Sequence, residues 1–290
     1  MSDTGVLWDS ADETARTAKL GEYFALWGMA PDGEPFATHS SWLAPARLNG
    51  AAVMLKVPCH PEERNAMAAL AWYGGRGAAR VLRRDDFAVV MERLADDRPL
   101  RAMAEGGQDD EATRILCEAT TALHERRAES FPASAPTLKR WFRSLPMMAA
   151  REASYQGLMQ AGWREAERLL NEPCDPVLLH GDIHHDNVLH DPARGWAAID
   201  PKGVVGNSGY DFANMLCNPL GDLPLKPGRM GRQARVVAEA TGRPLESVLA
   251  WGVAYIALST AWHIESGTLE TENALDYCRV AQGELAAVRA

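Results

Sequence analysis

Short apolar runs separated by turn residues occupy the first third of the chain and predict a small antiparallel sheet. Asn49-Gly50 lies between two such runs, and this dipeptide is a strong hairpin signal because both residues tolerate positive φ. A second turn falls at His39-Ser40. The predicted strands, five in all, are residues 34–38, 41–46, 51–57, 80–82 and 87–91.

The remaining segments place apolar residues at helical spacing. Strands followed by a run of helices are typical of an α+β fold. Besides one or two helices before about residue 30, the predicted helices are residues 61–73, 109–127, 138–170 with an interruption at Pro146, 245–262 and 269–288.

Composition and charge predict a globular protein that binds neither nucleic acid nor a membrane. Of the 290 residues, 47% are apolar and 24% are charged, as in ordinary folded domains. The net charge of −9 argues against a nucleic-acid-binding protein, which needs a basic face, and is compatible with a cationic small-molecule substrate. The longest uncharged apolar run, residues 249–262, is too short to span a bilayer. Five scattered cysteines without a CxxC pair, and no leader-like N-terminus, predict a reduced cytoplasmic protein.

The densest group of polar side chains lies in LLHGDIHHDNVLHDPARGWAAIDPKG, residues 178–203. The pattern predicts a short strand, a polar loop and then a hairpin. Asp182 and Asn187 belong to the loop, and Asp200 ends the last strand. These three side chains are therefore expected to lie at neighbouring strand ends.

This layout suits phosphoryl transfer. A phosphoryl donor is strongly negative, so its site needs oxygen ligands for a metal and one carboxylate directed at the attacking hydroxyl. An Asp, an Asn five residues later and a further Asp at a strand end follow the order of these groups in kinases. We expect Asp182 to accept the hydroxyl proton, and Asn187 and Asp200 to hold Mg²⁺.

The residues alone leave other interpretations open. Asp and Asn are also common turn residues. Histidines and carboxylates at this density are a pattern of metal-dependent hydrolases, although the order HxHxDH is absent. The side chains of that alternative are His180, His184, His185, His190, Asp182 and Asp186.

Lys56 is the one charged residue in the apolar strand 51–57. Burying an ammonium group is costly unless the group has a partner. The α and β phosphates of ATP would supply one, whereas a lysine on a sheet edge is the simpler alternative.

Three strings resemble the aminoglycoside phosphotransferase family, in its streptomycin and hydroxyurea kinase branch. They are HGDxxxxN from residue 180, IDPKGVVGNSGYDFANMLCNP at residues 199–219, and AWHIESG at residues 261–267. The resemblance implies a two-lobed, protein-kinase-like fold. Residues 1–94 would form the nucleotide-binding lobe with the antiparallel sheet, and residues 95–290 the larger, mainly helical lobe that binds the acceptor.

The resemblance also implies roles for individual residues. Those for the nucleotide are Ser40 and Ser41 at the phosphates in place of a Gly-rich loop, Lys56 at the α and β phosphates, and the Glu92 carbonyl and Leu94 amide at adenine. His180 and Asp211 would brace the catalytic loop, and the candidate acceptor contacts are His185, Asp186 and Glu265.

Two departures from the family pattern affect these roles. Asp186 stands where a small residue is expected. Ala66 and Ala68 occupy the helix positions where a Glu would pair with Lys56, which leaves Glu63 as the candidate partner.

The resemblance implies an enzyme, an ATP- and Mg²⁺-dependent O-phosphotransferase. Its acceptor would be streptomycin, a related aminoglycoside or hydroxyurea, and its role antibiotic resistance. The alternatives are a kinase of a host metabolite alcohol, a non-catalytic nucleotide-binding pseudokinase, and the hydrolase that would use the cluster from His180 to His190.

Overall fold

A computed structural model describes residues 7–61, 63–150, 155, 157–267 and 271–290, and a six-stranded antiparallel sheet dominates its first part. The strands are β1 (Ala30–Pro31), β2 (Phe36–Ala37), β3 (Ser41–Leu48), β4 (Ala51–Pro58), β5 (Val81–Arg84) and β6 (Val89–Glu92). Their order is β1-β3-β4-β6-β5, and β2 pairs with β3. The prediction of five strands missed β1, because two residues are too few to show an alternating pattern.

Two helices accompany the sheet, α1 (Glu13–Trp27) and α2 (Glu63–Tyr73). Asp12 caps α1 by accepting a hydrogen bond from the Ala15 amide, and Gly28 ends the helix at φ 64°. Leu20 and Tyr23 of α1 pack into a small core with the sheet. Other members of this core are Trp42, Val53, Leu55, Val57 and Val90.

The second part of the chain is mainly helical. Its helices are α3 (Leu100–Met103), a π-helix (Ala104–Gln108), α4 (Asp109–Leu123), α5 (Leu138–Trp141), α6 (Ser144–Ala150), α7 (Leu158–Asn171), α8 (Arg229–Thr241), α9 (Leu245–Ser266) and α10 (Thr271–Arg289). The long helix predicted over 138–170 is divided, but not at Pro146, which lies in the first turn of α6 where its missing N–H is tolerated.

Helix α9 forms the centre of the large core. By length and composition it could cross a membrane, yet 72% of its most apolar window is buried inside the protein. A helix that is apolar on every side is typical of a core surrounded by other elements. Helices α7, α8 and α10 pack against it.

Four short strands carry the polar segment: β7 (Val177–Leu179), β8 (Val188–Asp191), β9 (Gly195–Ala198) and β10 (Val204–Gly206). Strands β8 and β9 form the predicted hairpin. Strand β7 pairs with β10, which is not among the strands predicted from the sequence. This pairing holds the residues after β7 next to those before β10.

The sheet region and the helical region have separate hydrophobic cores, as the prediction of two lobes requires. Helix α2 connects the two regions, since Glu63 at its start contacts Lys56 of β4 and its later residues Leu70 and Tyr73 belong to the large core. The Tyr73 hydroxyl also donates a hydrogen bond to the Leu178 carbonyl at 3.0 Å. A boundary between residues 94 and 95 remains a prediction.

A buried ion pair joins α8 to α4 beneath the polar segment. Arg229 donates from Nε and Nη2 to the two oxygens of Asp109, each at 2.8 Å, and the two side chains are 2% and 5% exposed. Arg229 also donates to the carbonyls of Leu216 and Asn218. The pair therefore fixes the loop that follows residue 213.

We expect Arg229→Ala to lower the free energy of unfolding by about 3–5 kcal/mol, because it leaves the buried Asp109 carboxylate without its main partner. Arg232→Ala, on the same helix, is the matched control, since Arg232 also pairs with Asp109 but is 54% exposed. The control should lose less than about 1 kcal/mol. Denaturant unfolding of both variants measures the difference, and equal losses would contradict the prediction.

Candidate active site

The loop after β7 is fixed by one buried carboxylate. Asp211, in the 3₁₀-helix Ser208–Phe212, is 1% exposed and accepts hydrogen bonds from the amides of His180 and Gly181, each at 2.8 Å. His124 at the end of α4 approaches the same carboxylate at 2.8 Å. These contacts have the geometry expected of a loop-bracing Asp211. His124 was not assigned from the sequence, where it resembles an ordinary core histidine.

His180 joins this loop to the end of the β8–β9 hairpin. Its Nε2 lies 2.8 Å from the Ile199 carbonyl, and its own carbonyl accepts the Lys202 amide at 2.6 Å. The ring is buried, and burial lowers the pKa of His180, so the imidazole is neutral at pH 7. The position suits a bracing role and gives the ring no access to a reacting group.

Asp182 projects into the cleft with a defined orientation. Its side chain is 33% exposed, and its Oδ1 accepts a hydrogen bond from Asn214 Nδ2 at 3.0 Å. Asn214 is in turn held by the Asn218 amide, which donates to Asn214 Oδ1 at 2.7 Å. Asn214 was not predicted as a site residue. The signal available was its position three residues after Asp211, which is one turn further along a 3₁₀-helix.

Asn187 and Asp200 supply the oxygen donors that a hard cation prefers. Asn187 Nδ2 donates to the Asp182 carbonyl at 2.8 Å, which leaves the side-chain oxygen for a metal. Asp200 has φ 57°, a left-handed conformation that Asp tolerates better than most residues. These oxygens would suit Mg²⁺ completed by phosphate oxygens and water. The metal roles of Asn187 and Asp200 stay predictions.

Two lysines and two carboxylates form a compact cluster beside these donors. Lys56 Nζ contacts Asp200 Oδ1 and lies 2.7 Å from Glu63 Oε2. Lys202 Nζ lies 3.3 Å from Glu63 Oε1 and 3.9 Å from Asp200 Oδ2. Glu63 is thus the carboxylate that faces Lys56, one turn or so before the positions of Ala66 and Ala68.

The four charges shift one another's protonation. Burial alone would raise the pKa of Glu63, but Lys56 and Lys202 outweigh it and hold that pKa below its usual value. Burial opposes ionisation of Asp200 as well, yet the same two ammonium groups lower its pKa to about 2. Burial would lower the pKa of Lys56 and of Lys202, and both are raised instead by Asp200 and Glu63. All four groups are charged at neutral pH.

A close approach of backbones positions this cluster. Gly203 has φ 71°, and a Cβ at this position would come within 2.6 Å of the Ala69 Cβ on α2. The segment Asp200–Gly203 therefore packs directly on the helix that carries Glu63. A larger residue at 203 would force this segment away from α2.

Of the two serines predicted to contact the phosphates, only Ser40 lies where such a contact is expected. Ser40 lies in the turn between β2 and β3, where a phosphate-covering loop is expected, but the Ser41 side chain is 0% exposed. Its hydroxyl is enclosed within the small lobe and, among the described residues, has no hydrogen-bond partner. The prediction that the Ser41 hydroxyl contacts phosphate is therefore not supported by its position.

The predicted hinge follows β6. The Glu92 side chain is held by the Arg80 amide at 2.7 Å and by Arg194, so only its backbone is left for adenine. Leu94 is largely buried, and none of the described residues accepts a hydrogen bond from its amide. Both backbone contacts to adenine remain predictions.

The three candidate acceptor contacts lie in different environments. His185 is 1% exposed, and burial lowers its pKa to about 3, so a contact to a substrate in the cleft is excluded in this conformation. The loop alternates inward Ile183 and His185 with outward neighbours, a pattern too short to read from sequence. Asp186 is paired with Arg101 through both oxygens, at 2.8 and 2.5 Å. Glu265 is exposed in the last turn of α9.

A cavity of about 270 Å³ lies between α9, α10 and the loop after residue 216. His263, rather than Glu265, lines it from the end of α9. Its other lining residues include Cys217, Leu220, Ser259, Thr260 and Tyr277. Cys217 donates to the Asn214 backbone carbonyl at 3.3 Å, so the cavity wall contacts the residue whose side chain orients Asp182.

The histidines of the polar segment do not converge on one point. His180 contacts the Ile199 carbonyl, His190 Nδ1 lies 2.6 Å from Asp97, and His185 is enclosed. Within the described part of the chain, no three His, Cys, Asp or Glu side chains are grouped as metal ligands. This arrangement does not favour the metal-dependent hydrolase.

Comparisons with known proteins agree with this geometry. A family model described as aminoglycoside/hydroxyurea antibiotic resistance kinase matches residues 26–267. Streptomycin 3''-kinase of Klebsiella pneumoniae is 40% identical over 246 residues, which cover 83% of this chain and 91% of that protein. Hydroxyurea phosphotransferase of Kitasatospora aureofaciens is 26% identical over 279 residues, covering 94% and 79%.

Solved structures match the fold at low identity. A crystal structure of aminoglycoside phosphotransferase APH(4)-Ia gives a TM-score of 0.69 at 15% identity and covers 93% of this chain and 99% of that one. A thermostable mutant of that protein, in a ternary complex with ADP and hygromycin B, gives 0.66 at 14% identity over 91% and 97%. The predicted two-lobed kinase-like fold is confirmed.

Asn214→Ala should lower kcat for phosphoryl transfer without weakening nucleotide binding. A hydrogen bond to a charged group contributes about 1.5–3 kcal/mol, which corresponds to roughly 10- to 100-fold in rate if it is lost in the transition state. Steady-state kinetics and nucleotide titration measure the two effects. The exposed Asn171→Ala on α7 is the control, and an Asn214→Ala variant with wild-type kcat would refute the orienting role.

Proposed function

Because the chain belongs to the aminoglycoside/hydroxyurea antibiotic resistance kinase family, we propose that this phosphotransferase moves the γ-phosphoryl group of ATP to a hydroxyl of streptomycin. The observation that carries the proposal is the cleft-facing Asp182 carboxylate, oriented by Asn214 and flanked by Asn187 and Asp200. The relative at 40% identity supports streptomycin, and specifically its 3'' hydroxyl, over hydroxyurea, whose phosphotransferase is 26% identical.

Phosphoryl transfer requires one proton acceptor and a fixed line of attack. The acceptor oxygen forms a bond to the γ-phosphorus as the bond from that phosphorus to the β-bridging oxygen breaks, and ADP leaves. The hydroxyl proton passes to Asp182. Asn214 holds Oδ1 of that carboxylate at 3.0 Å and leaves Oδ2 to meet the hydroxyl.

The negative charge of the phosphates is met by side chains on two sides. Asn187 and Asp200 would hold Mg²⁺, which neutralises charge on the β and γ phosphates when bound. Lys56 contacts the α and β phosphates in this proposal, and Glu63 at 2.7 Å keeps the ammonium in place. The ADP complex of the structural relative supports ATP as donor.

We place the acceptor at the cavity between α9 and α10. It is joined to Asp182 through Cys217 and Asn214, and Ser259 contributes a hydroxyl group to its lining. The net charge of −9 favours the approach of a cationic aminoglycoside. The protein acts in the cytoplasm, where ATP is supplied. The boundary between the two lobes lies near residues 94 and 95.

The alternatives are less well supported. A pseudokinase was suggested by the absence of a Glu at the expected helix positions, and the Glu63 contact to Lys56 removes that reason. A kinase of a host metabolite alcohol would share the fold and the whole catalytic loop. It therefore differs from the proposal only in the acceptor, which an assay must decide.

The decisive assay incubates the protein with Mg²⁺ and ATP and follows ADP release and the mass of the acceptor. The panel contains streptomycin, other aminoglycosides, hydroxyurea and choline. We expect phosphorylation of streptomycin at the 3'' hydroxyl, and a loss of roughly 10²- to 10⁴-fold in kcat for Asp182→Asn, since a positioned base is removed. ATP affinity should be unchanged.

Other outcomes of this assay would support different functions. Turnover of choline alone would replace streptomycin with a host alcohol as acceptor. ATP binding without turnover of any acceptor would favour the pseudokinase. Activity that chelation removes and zinc, but not Mg²⁺, restores would contradict the proposed metal site.

A bulky side chain in the cavity should interfere with the acceptor alone. Ser259→Phe on α9 is expected to raise the KM for streptomycin by roughly tenfold or more while the KM for ATP stays constant, because the ring fills space that the acceptor needs. Ser266→Phe is the matched control, since Ser266 is exposed on the same helix. An unchanged KM in Ser259→Phe would place the acceptor elsewhere.

A further inference from the structure

Lys202 is a second lysine at the carboxylates that already pair with Lys56. Its Nζ lies 3.3 Å from Glu63 and 3.9 Å from Asp200. The Lys202 side chain is 27% exposed, whereas that of Lys56 is 8% exposed. Lys202 therefore approaches the cluster from the open side of the cleft, and Lys56 from within the small lobe.

The backbone of Lys202 is fixed to the catalytic loop. Its amide donates to the His180 carbonyl at 2.6 Å, two residues before Asp182. Its Cβ lies 3.1 Å from where a Cβ at Gly181 would stand, so the two segments are in direct contact. The lysine stem thus starts beside the catalytic loop and ends beside the metal-binding carboxylate.

The carboxylates near Lys202 also place its ammonium group between the metal-binding side and the acceptor side of the cleft. The ammonium group lies 3.9 Å from Asp200, the carboxylate assigned to the metal, and the Lys202 backbone is held two residues from Asp182, the carboxylate assigned to the acceptor proton. The phosphoryl group being transferred must occupy the space between those two carboxylates.

Charge balance supplies a reason for a second lysine. Two ammonium groups now face two carboxylates, Glu63 and Asp200. When Asp200 turns to Mg²⁺, Glu63 alone faces both lysines, and one positive charge is left for the phosphates. A cation that is already in place costs no reorganisation during the reaction.

We propose that the Lys202 ammonium group binds the γ-phosphate and stays with it during transfer, while Lys56 binds the α and β phosphates. The inference rests on the proposed use of ATP. It makes Lys202 a residue that distinguishes nucleoside triphosphate from diphosphate, and so promotes release of ADP after the reaction.

The test is calorimetric titration of the protein, in constant Mg²⁺, with ADP and with the non-hydrolysable triphosphate analogue AMP-PNP. Lys202→Met should weaken AMP-PNP binding by roughly 10- to 100-fold, the range for a lost charge-assisted contact, and leave ADP affinity within about twofold. Lys56→Met should weaken both nucleotides. The exposed Lys139→Met on α5 should weaken neither.

Equal weakening of ADP and AMP-PNP in Lys202→Met would overturn the inference, because Lys202 would then act only as a partner of Glu63. If Lys202→Met does not fold, Lys202→Gln gives the same comparison. Lys202→Arg, which keeps the charge, should recover most of the AMP-PNP affinity. A wild-type protein that binds neither nucleotide would overturn the proposed function together with this inference. If the wild-type protein binds both nucleotides, a failure of the Lys202 variants to discriminate between them counts against this inference alone.

Discussion

Two ammonium groups and two carboxylates enclosed between the lobes set the constraint on which the rest of the structure depends. Strand β4 contributes Lys56, helix α2 contributes Glu63, and the segment after β9 contributes Asp200 and Lys202. Removing water from any one of these charges is costly, and only its opposite partners compensate. The three elements must therefore keep their positions relative to one another. A buried ion pair is weak evidence for stability, so we interpret the cluster as a preorganised site for polyphosphate.

A small number of hydrogen bonds holds the catalytic loop in place. Asp211 accepts hydrogen bonds from two successive amides of the loop, and His180 contacts the Ile199 carbonyl at the end of the β8–β9 hairpin. Asn214 then sets the direction of the Asp182 carboxylate. The loop is thus rigid without regular secondary structure. Rigid supports of this kind allow a catalytic group to act without first reorganising.

In the proposed function, the nucleotide half and the acceptor half of the cleft are built differently. The side chains proposed to contact the phosphates have mutually balanced charges, and such a set tolerates little change. Most side chains that line the cavity between α9 and α10 are also buried in the fold, whereas Ser259 is partly exposed. The solved structures at 14–15% identity show the fold alone, so the acceptor is inferred from closer relatives.

The sequence by itself determined the chemistry of the catalytic segment, because D-x-x-x-x-N followed by a strand-end Asp places Asp182, Asn187 and Asp200 through local geometry. It also determined the hairpin at Asn49-Gly50 and the α+β order of elements. The sequence offered Glu63 as the candidate partner of Lys56, but only the tertiary structure added Asp200 and Lys202 to this pair, because the segment Asp200–Gly203 packs on α2. The burial of Ser41 and His185, and the contact of Asn214 with Asp182, depend in the same way on elements distant in sequence. Local patterns encode which groups are present, whereas the packing of remote segments decides which of them meet.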